Sequence, residues 1–404
     1  AGSAYIFKKD DGAETWTEIA KLTSSDVAEN DRLGSSTAIY GDYAVVGAYN
    51  ENSNGAAYIF KKGNSDGAWE EVGKLTAETR GASDNFGACS IYGDYIVIAA
   101  LEDDDTEDQS GSITIFKKDS GAETWQQKAL LFPSSQYSGG TKLGYGLQIY
   151  DDYIIAGAPN SDDNSTSDSG SAYIFKKDSG AETWSEIAKL TASDYEEMDY
   201  FGMSCSIYGN YAVVSAPYGD EPGDNDGVAY VFKKGTNDSW TEIAKLTAAD
   251  THASGIGNDV SIYNNYICIS DQNNSVDGNI STGGAVYVYK INSSTDAIDE
   301  IIKITANSPV ANDKFGSSVS MYGNYIATGA RVRKNSGNIA TGSAFIFKNN
   351  GDNNLPPPDT SSEDTAASNA GVSSDNIDTI KTRSDAMTQG STVNLADMSI
   401  NSST

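Results

Sequence analysis

The stretch GSAYIFKKD, residues Gly2–Asp10, decides the fold because it recurs along the chain. An identical copy begins at Gly170, and close variants begin at Gly55, Gly111, Gly227, Gly284 and Gly342. A second element, similar to SIYGDYIVVGAP, occurs six times, with its first tyrosine at Tyr40, Tyr92, Tyr150, Tyr208, Tyr263 and Tyr322. A period in the fifties built from short β-like segments predicts stacked or radially arranged sheets rather than one irregular domain.

One repeat, taken over Leu33–Thr76, divides into four predicted strands. They are strand a (Ser36–Tyr40), strand b (Tyr43–Ala48), strand c (Ala56–Lys61) and strand d (Trp69–Leu75). The two residues Gly41–Asp42 between strands a and b are typical of a tight hairpin turn. Strands b and c are apolar on both faces, which indicates that each sheet is covered on both sides. Small alanines and glycines would let such sheets converge, as the blades of a β-propeller do.

The pattern FG-x-S-x-S-IYGDYIVVGA followed by GxAYIF resembles the FG-GAP repeat, the blade motif of integrin-alpha-type β-propellers. The FG dipeptide stands at Phe86–Gly87, Phe201–Gly202 and Phe315–Gly316. The resemblance covers about residues 1–348 and implies an all-β propeller of four-stranded blades. It is closest to the variant without calcium loops. In calcium-binding members the turn between strands a and b is a long aspartate-rich loop, whereas here it has only two residues and cannot supply the six to eight oxygens that calcium needs.

The blade number is left open by the strand count. The predicted strands exceed what six blades need and fall short of what seven need, because the chain opens with strands c and d only. We predict seven blades within residues 1–348, with six as the alternative. Residues 349–404 form an irregular tail rich in Ser, Thr and Asp. We expect this tail to add a strand, from Ile377–Thr382 or Ser391–Ile400, to an edge of its own propeller or of a neighbouring subunit.

Composition restricts the classes of partner. The formal charge is −30 and the isoelectric point is about 4.2, so the surface repels nucleic acid and anionic membranes. No run of 18 apolar residues occurs, so we expect no membrane insertion. The three cysteines, Cys89, Cys205 and Cys268, are predicted to be small core residues rather than a disulfide framework. The five strand-d tryptophans are predicted to pack between blades.

The loops between strands b and c differ most from repeat to repeat, and binding residues commonly lie on such loops. They are 49–54, 102–110, 160–169, 218–226, 271–282 and 331–341. Three of them, 102–110, 160–169 and 218–226, are rich in carboxylates. From the first and the third we select candidate metal ligands: Asp103, Asp105, Asp220, Asp224 and Asp226. Two interpretations stay open: calcium binding, which the oxygen density and the glycine after Asp226 favour, and a solvated acidic loop. We expect no other cofactor.

A catalytic function is not predicted. The single histidine, His252, has no evident partner for a triad or a zinc site, and the sequence contains no GxSxG, HExxH or phosphate-binding loop. A carboxylate pair acting in a hydrolase or lyase remains a third possibility, because acids are abundant throughout. The basic run Arg331–Lys334 is interpreted as a local anomaly. Six N-x-S/T sequons permit secretion and glycosylation without demonstrating either: Asn164, Asn237, Asn273, Asn279, Asn292 and Asn401.

These observations predict an extracellular or cell-surface module with a structural or adhesive role. Its partners would be other protein subunits or extracellular proteins, and also glycans. The alternative is a carbohydrate-binding, lectin-like propeller in which exposed tyrosines and carboxylates hold sugar hydroxyls. Glycan binding would distinguish the second function from the first.

Overall fold

The computed structural model describes residues 2–10, 12, 15–26, 28–63, 67–78, 84–104, 109–134, 140–162, 166–219, 226–249, 252–276, 280–334 and 342–348, and the backbone of 393–394. The described residues fall into two compact units that divide between Leu190 and Thr191. Among them, no helix combines the length and apolar character that crossing a membrane requires.

The first unit consists of four antiparallel sheets. Its strands are β1 (Ala4–Lys9), β2 (Trp16–Leu22), β3 (Ser36–Tyr40), β4 (Tyr43–Ala48), β5 (Ala56–Lys62), β6 (Trp69–Leu75), β7 (Phe86–Tyr92), β8 (Tyr95–Ala100), β9 (Ser112–Lys118), β10 (Trp125–Leu131), β11 (Leu147–Tyr150), β12 (Tyr153–Ala158), β13 (Ser171–Lys177) and β14 (Trp184–Leu190). Strands β1 and β2 form a two-stranded sheet, and β3–β6, β7–β10 and β11–β14 form four-stranded sheets in sequence order. A short 3₁₀ turn, Glu51–Ser53, precedes β5.

The second unit consists of three such sheets. Its strands are β15 (Cys205–Tyr208), β16 (Tyr211–Ala216), β17 (Val228–Lys234), β18 (Trp240–Leu246), β19 (Val260–Tyr263), β20 (Tyr266–Asp271), β21 (Ala285–Ile291), β22 (Ile298–Ile304), β23 (Phe315–Tyr322), β24 (Tyr325–Ala330), β25 (Ser343–Lys348) and β26 (Val393–Asn394). The sheets are β15–β18, β19–β22 and β23–β26, again in sequence order. The four-strand division predicted from one repeat is therefore confirmed, including the two-residue turn between strands a and b, where Tyr40 pairs with Tyr43.

The described residues contain six four-stranded blades, so the prediction of seven was wrong. The seventh sheet, β1–β2, has only two strands. The described strand of the tail, β26, pairs with β25, Val393 opposite Ile346 and Asn394 opposite Phe345. Part of the predicted strand Ser391–Ile400 is thus present, as the fourth strand of the last blade. The other predicted tail strand, Ile377–Thr382, lies outside the described residues.

The two middle strands form the core in every four-stranded blade but the last, where β24 and β25 are only partly buried. Strands β8, β12 and β16 are buried along their whole length, as apolar character on both faces predicts. The outer strand d pairs with strand c through a β-bulge in every sheet that contains both, except the last. In β6, for example, Gly73 pairs with Ile59 and Glu71 with Phe60, so Val72 is the extra residue. Such bulges increase the local twist of the outer strand.

The two repeated motifs meet between adjacent blades. Gly55, the glycine of one GxAYIF element, forms a parallel bridge with Phe86, the phenylalanine of the next FG dipeptide. Gly284 and Phe315 form the same bridge in the second unit. A β-carbon added to Gly284 would lie 1.9 Å from the carbonyl oxygen of Phe315, and the backbone has φ of +86° there. Only glycine fits such a close backbone approach in this conformation.

Hydroxyl groups join the first strands of adjacent blades. The Oγ atoms of Ser204, Ser206 and Ser261 accept hydrogen bonds from Val260 N, Ile262 N and Met321 N at 3.0–3.1 Å. Ser36 and Ser90 do the same in the first unit. Strand a pairs with strand b along one edge only. These bonds satisfy backbone donors on its other edge, which no strand of the same sheet covers. The serines of the FG-x-S-x-S pattern are therefore structural.

Tryptophans and cysteines also pack as predicted. The rings of Tyr43 and Trp125 meet edge to face with centroids 5.9 Å apart, and Tyr95 and Trp184 meet in the same way at 5.8 Å. All three cysteines are buried and free. Burial raises the pKa of the Cys89 thiol to about 11, which keeps this thiol protonated and unreactive.

Candidate functional site

The first predicted acidic loop is organised from within by Asp103. Its side chain is buried, with the residue only 6% exposed. The carboxylate accepts a hydrogen bond from Ser112 Oγ, and the carbonyl oxygen of Asp103 accepts one from Gly111 N at 3.1 Å. Asp103 therefore shapes the loop instead of facing solvent. Asp105 lies outside the described residues.

The second predicted acidic loop is described only at its two ends, Tyr218–Gly219 and Asp226. The carbonyl oxygen of Asp226 accepts hydrogen bonds from Gly255 N at 2.9 Å and Ile256 N at 2.8 Å, which join the loop to the next blade. Asp220 and Asp224 lie outside the described residues. Among the residues that the structure does describe, no group of three or more His, Cys, Asp or Glu side chains is placed to hold a metal ion. The calcium hypothesis stays a prediction.

Acidic residues before strand a make turns. In the D-x-F/L-G segment, Asp31, Asp199 and Asp313 are buried. Each carboxylate accepts a hydrogen bond from the amide three residues earlier, at 2.6 Å from Ala28, 2.8 Å from Glu196 and 3.1 Å from Val310.

The position after that of the buried aspartate is left-handed in all six repeats, including a repeat that has Ser254 in place of the aspartate, and sequence reasoning missed it. The next residue has φ between +54° and +59° in five repeats and is a glycine with φ of +86° in the sixth: Arg32, Asn85, Lys142, Tyr200, Lys314 and Gly255. The residue before the aspartate is also left-handed in three repeats, at Asn30, Met198 and Asn312. Asparagine tolerates this conformation well, whereas bulky side chains rarely adopt it.

One blade carries a methionine and a tyrosine at these two left-handed positions. Met198 is 52% exposed, and Tyr200 packs edge to face against Tyr218 with ring centroids 5.5 Å apart. Tyr218, which begins the loop after β16, is 48% exposed. We name Met198, Tyr200 and Tyr218 the apolar loop cluster.

A shallow depression of about 300 Å³ lies in the first unit, where strands a begin and strands b end. Apolar or aromatic walls come from Tyr49, Leu101 and Tyr145, and Tyr145 is 44% exposed. Polar groups come from Ser35, Ser36 and Asn85. The described lining residues carry no charge, although the Arg32 guanidinium lies over the Tyr49 ring, 5.1 Å from its centroid. The volume of the depression is at the lower end of the range for small-molecule sites, about 300–1,000 Å³.

The loop that carries His252 is fixed by a buried carboxylate. Asp271 ends β20 and is fully buried, where other blades have an alanine such as Ala216 or Ala330. Its oxygens accept hydrogen bonds from Ser254 N at 3.0 Å and Asn273 N at 2.9 Å. His252 itself is exposed, and its carbonyl oxygen accepts a bond from Asn274 Nδ2 at 3.0 Å. The histidine loop and the following loop are therefore tied together.

We predict a pH dependence of stability from Asp271. Burial raises the pKa of its carboxyl from the ordinary 3.8 to about 6 in the folded protein. The protonated form is thus favoured by folding, so this contribution is fully present below about pH 4 and is lost as pH rises through about 6. Urea unfolding of the wild type and Asp271→Asn between pH 4 and 7 checks this. The wild type should gain stability relative to the variant as pH falls; a constant difference would contradict it.

The recurrent blades and the contacts between them define a β-propeller repeat protein. The FG-GAP repeat family matches six segments: residues 16–60, 69–116, 125–175, 184–232, 240–289 and 298–347. The chain therefore belongs to the FG-GAP repeat family. Each segment joins strand d of one sheet to strands a, b and c of the next, as 16–60 joins β2 to β3–β5. Comparison with curated protein sequences gave no match.

Solved structures share the fold at low sequence identity. A protein from Bacteroides uniformis, provisionally assigned as a 6-phosphogluconolactonase, has 12% identity and a TM-score of 0.57 over 86% of this chain and 88% of its own. A second protein with that provisional assignment, from Bacteroides fragilis, has 14% identity and a TM-score of 0.52 over 86% of both chains. A protein from Lactobacillus plantarum has 11% identity and a TM-score of 0.55, covering 86% and 87%. These likenesses concern the fold alone.

Proposed function

We propose that this FG-GAP propeller is a non-enzymatic binding module that contacts partner proteins through its variable b–c loops. The main support is that repeated polar side chains are paired between neighbouring blades. Tyr211 OH and Lys233 Nζ both bind the Asp296 carboxylate of the next blade, at 3.1 and 2.7 Å. Tyr95 and Lys117 bind Glu182 in the same way.

These pairs indicate which side chains belong to the rigid scaffold and which loops remain available for binding. Strand-d glutamates also accept bonds from the preceding blade, as Glu242 does from Ser193 N at 3.0 Å and Ser193 Oγ at 2.9 Å. A side chain held between blades contributes to rigidity and is not available to a partner. The b–c loops vary in length and sequence on this rigid frame, which is the usual arrangement of a binding surface.

We further propose that the module works outside the cell, in a structural or adhesive role. The strongly acidic composition suits a soluble surface in salt, and the three thiols are buried, so none is exposed to oxidation. Strand β26 supports a role of the tail in assembly, because pairing with β25 uses only backbone groups and a second chain can donate the same strand.

Carbohydrate binding is the second candidate, and the depression at Tyr145 favours it. An exposed tyrosine face can stack on the C–H face of a sugar ring, while an amide and hydroxyls bind sugar hydroxyls. The neutral lining suits a neutral saccharide. No catalytic residue is assigned under either candidate.

One experiment tests both functions. The full chain and Tyr145→Ala are applied to an array that carries extracellular proteins on one half and glycans on the other. The protein-binding function predicts signals on proteins that Tyr145→Ala retains. The carbohydrate function predicts signals on neutral glycans that fall by about tenfold or more in Tyr145→Ala. Absence of protein binding by the full chain would contradict the first proposal.

A further inference from the structure

We propose that the apolar loop cluster, Met198, Tyr200 and Tyr218, docks a protein segment that carries one large apolar side chain flanked by lysine or arginine. The inference deepens the proposed function and rests on it, because it selects one blade and one partner chemistry among the variable loops. It is carried by a conflict between local conformation and residue type.

The conflict is visible by comparison within the chain. At the position before the buried aspartate, Asn30 and Asn312 occupy the left-handed conformation that Met198 occupies with φ of +68°. At the position after it, Tyr200 has φ of +54° where the other repeats have Arg, Asn, Lys or Gly. Met198 therefore stands where the equivalent residues are asparagines, whereas Tyr200 shares its left-handed conformation with the long side chains of Arg32, Lys142 and Lys314. Strained residues of this kind persist mainly at functional sites.

The exposure of the cluster means that packing within the chain does not explain why the strained backbone is kept. Met198 and Tyr218 leave about half of their surface in water, so their packing within the chain gives little in return for the strain. Tyrosine and methionine are enriched at the centres of protein interfaces, where rigid aromatic rings give large contact area at low entropic cost. The edge-to-face contact of Tyr200 with Tyr218 holds these two rings in place before a partner arrives.

The charge around the cluster selects the flanking residues of the partner. Glu196 and Glu197 are exposed and directly precede Met198 in the chain. The nearby Asp194 is already engaged by Lys245 Nζ at 2.5 Å and Tyr230 OH at 2.8 Å. With a net charge of −30, a second copy of this chain would be repelled, whereas a basic segment would be attracted.

The test uses the full chain and a displayed library of random 12-residue peptides. Peptides are selected on the wild type and counter-selected on the double variant Met198→Asn/Tyr200→Asn, whose asparagines are what other blades place in this conformation. Lys142→Asn, the same substitution at the equivalent left-handed position of the first unit, is the control. Thermal melting and light scattering accompany the selection.

The expected result has three parts. Selected peptides contain a large apolar residue beside lysine or arginine, and a synthetic copy binds the wild type about tenfold or more tightly than the double variant. Lys142→Asn binds like the wild type. The double variant melts about 1–3 °C higher, because relief of left-handed strain stabilises the fold.

Five results would overturn the proposal. Selected peptides that bind the double variant equally well would place binding elsewhere and leave the proposed function intact. Neutral or acidic peptides would refute the partner chemistry. A lower melting temperature together with lost binding would refute the strain argument. A wild-type dimer that becomes monomeric in the double variant would make the occupant a second copy. Failure to select any peptide would contradict the proposed function as well.

Discussion

Replacement of Gly284 by alanine is expected to lower the free energy of unfolding by about 2–5 kcal/mol. The added methyl group would lie 1.9 Å from the Phe315 carbonyl oxygen, a backbone atom that cannot move without separating two blades. Overpacking of this kind costs about 1–3 kcal/mol. The left-handed conformation, with φ of +86°, adds about 1–2 kcal/mol for any residue with a β-carbon.

Gly209→Ala is the matched control in the same unit. Gly209 has φ of +59°, but nothing lies within 4 Å of the position of its missing β-carbon. This variant should therefore show only the conformational cost of about 1–2 kcal/mol. Urea unfolding of both variants, followed by circular dichroism, measures the difference. Equal losses would mean that the close approach between blades does not determine stability.

The sequence predicts the scaffold well because each scaffold residue is repeated. Strand b, Tyr43–Ala48, has the predicted bounds, and strand c differs only by Lys62 at its end. The bulge in strand d was not predicted, because WxEIAKL looks like a regular strand and the extra residue is visible only in the pairing with strand c. The blade number was wrong because pairing of β26 with β25, rather than with β1 or β2, is a tertiary choice that composition does not encode.

The candidate site was less predictable, because burial and backbone conformation decide the role of a loop residue. Asp103 looked like a metal ligand in an acidic run, yet it is buried and bonded to Ser112. Met198 and Tyr200 looked ordinary, because no left-handed conformation was predicted at either position. A signal was nevertheless present: an asparagine or glycine recurs near the FG dipeptide in several repeats, and it is absent before Tyr200. A residue at a left-handed position is therefore informative when it differs from the residues at the same position in the other blades.

One residue of the basic run Arg331–Lys334, Arg333, forms a buried ion pair that the sequence did not predict. Arg333 Nη1 lies 3.0 Å from Asp313 Oδ2, with side-chain exposures of 11% and 4%. Arg333 Nη2 donates a hydrogen bond to the Ser308 carbonyl oxygen at 3.2 Å, and the guanidinium lies over the ring of Phe345, 5.3 Å from its centroid. One side chain therefore joins the loop before β23 to strand β25.

Arg333→Met is expected to lower the free energy of unfolding by about 3–5 kcal/mol at pH 7. Removing one partner of a buried pair leaves the other charge without compensation. Burial raises the pKa of the Asp313 carboxyl and Arg333 lowers it, so this pKa should rise further in the variant. Protonation of Asp313 then restores part of the lost stability, and the deficit should shrink as pH falls from 7 towards 4.

Lys334→Met, at an exposed neighbouring position, should change stability by no more than about 0.5 kcal/mol at either pH. Urea unfolding at the two pH values measures these differences, and a deficit in Arg333→Met that does not change with pH would show that lost packing on Phe345, rather than the unpaired carboxylate, is responsible.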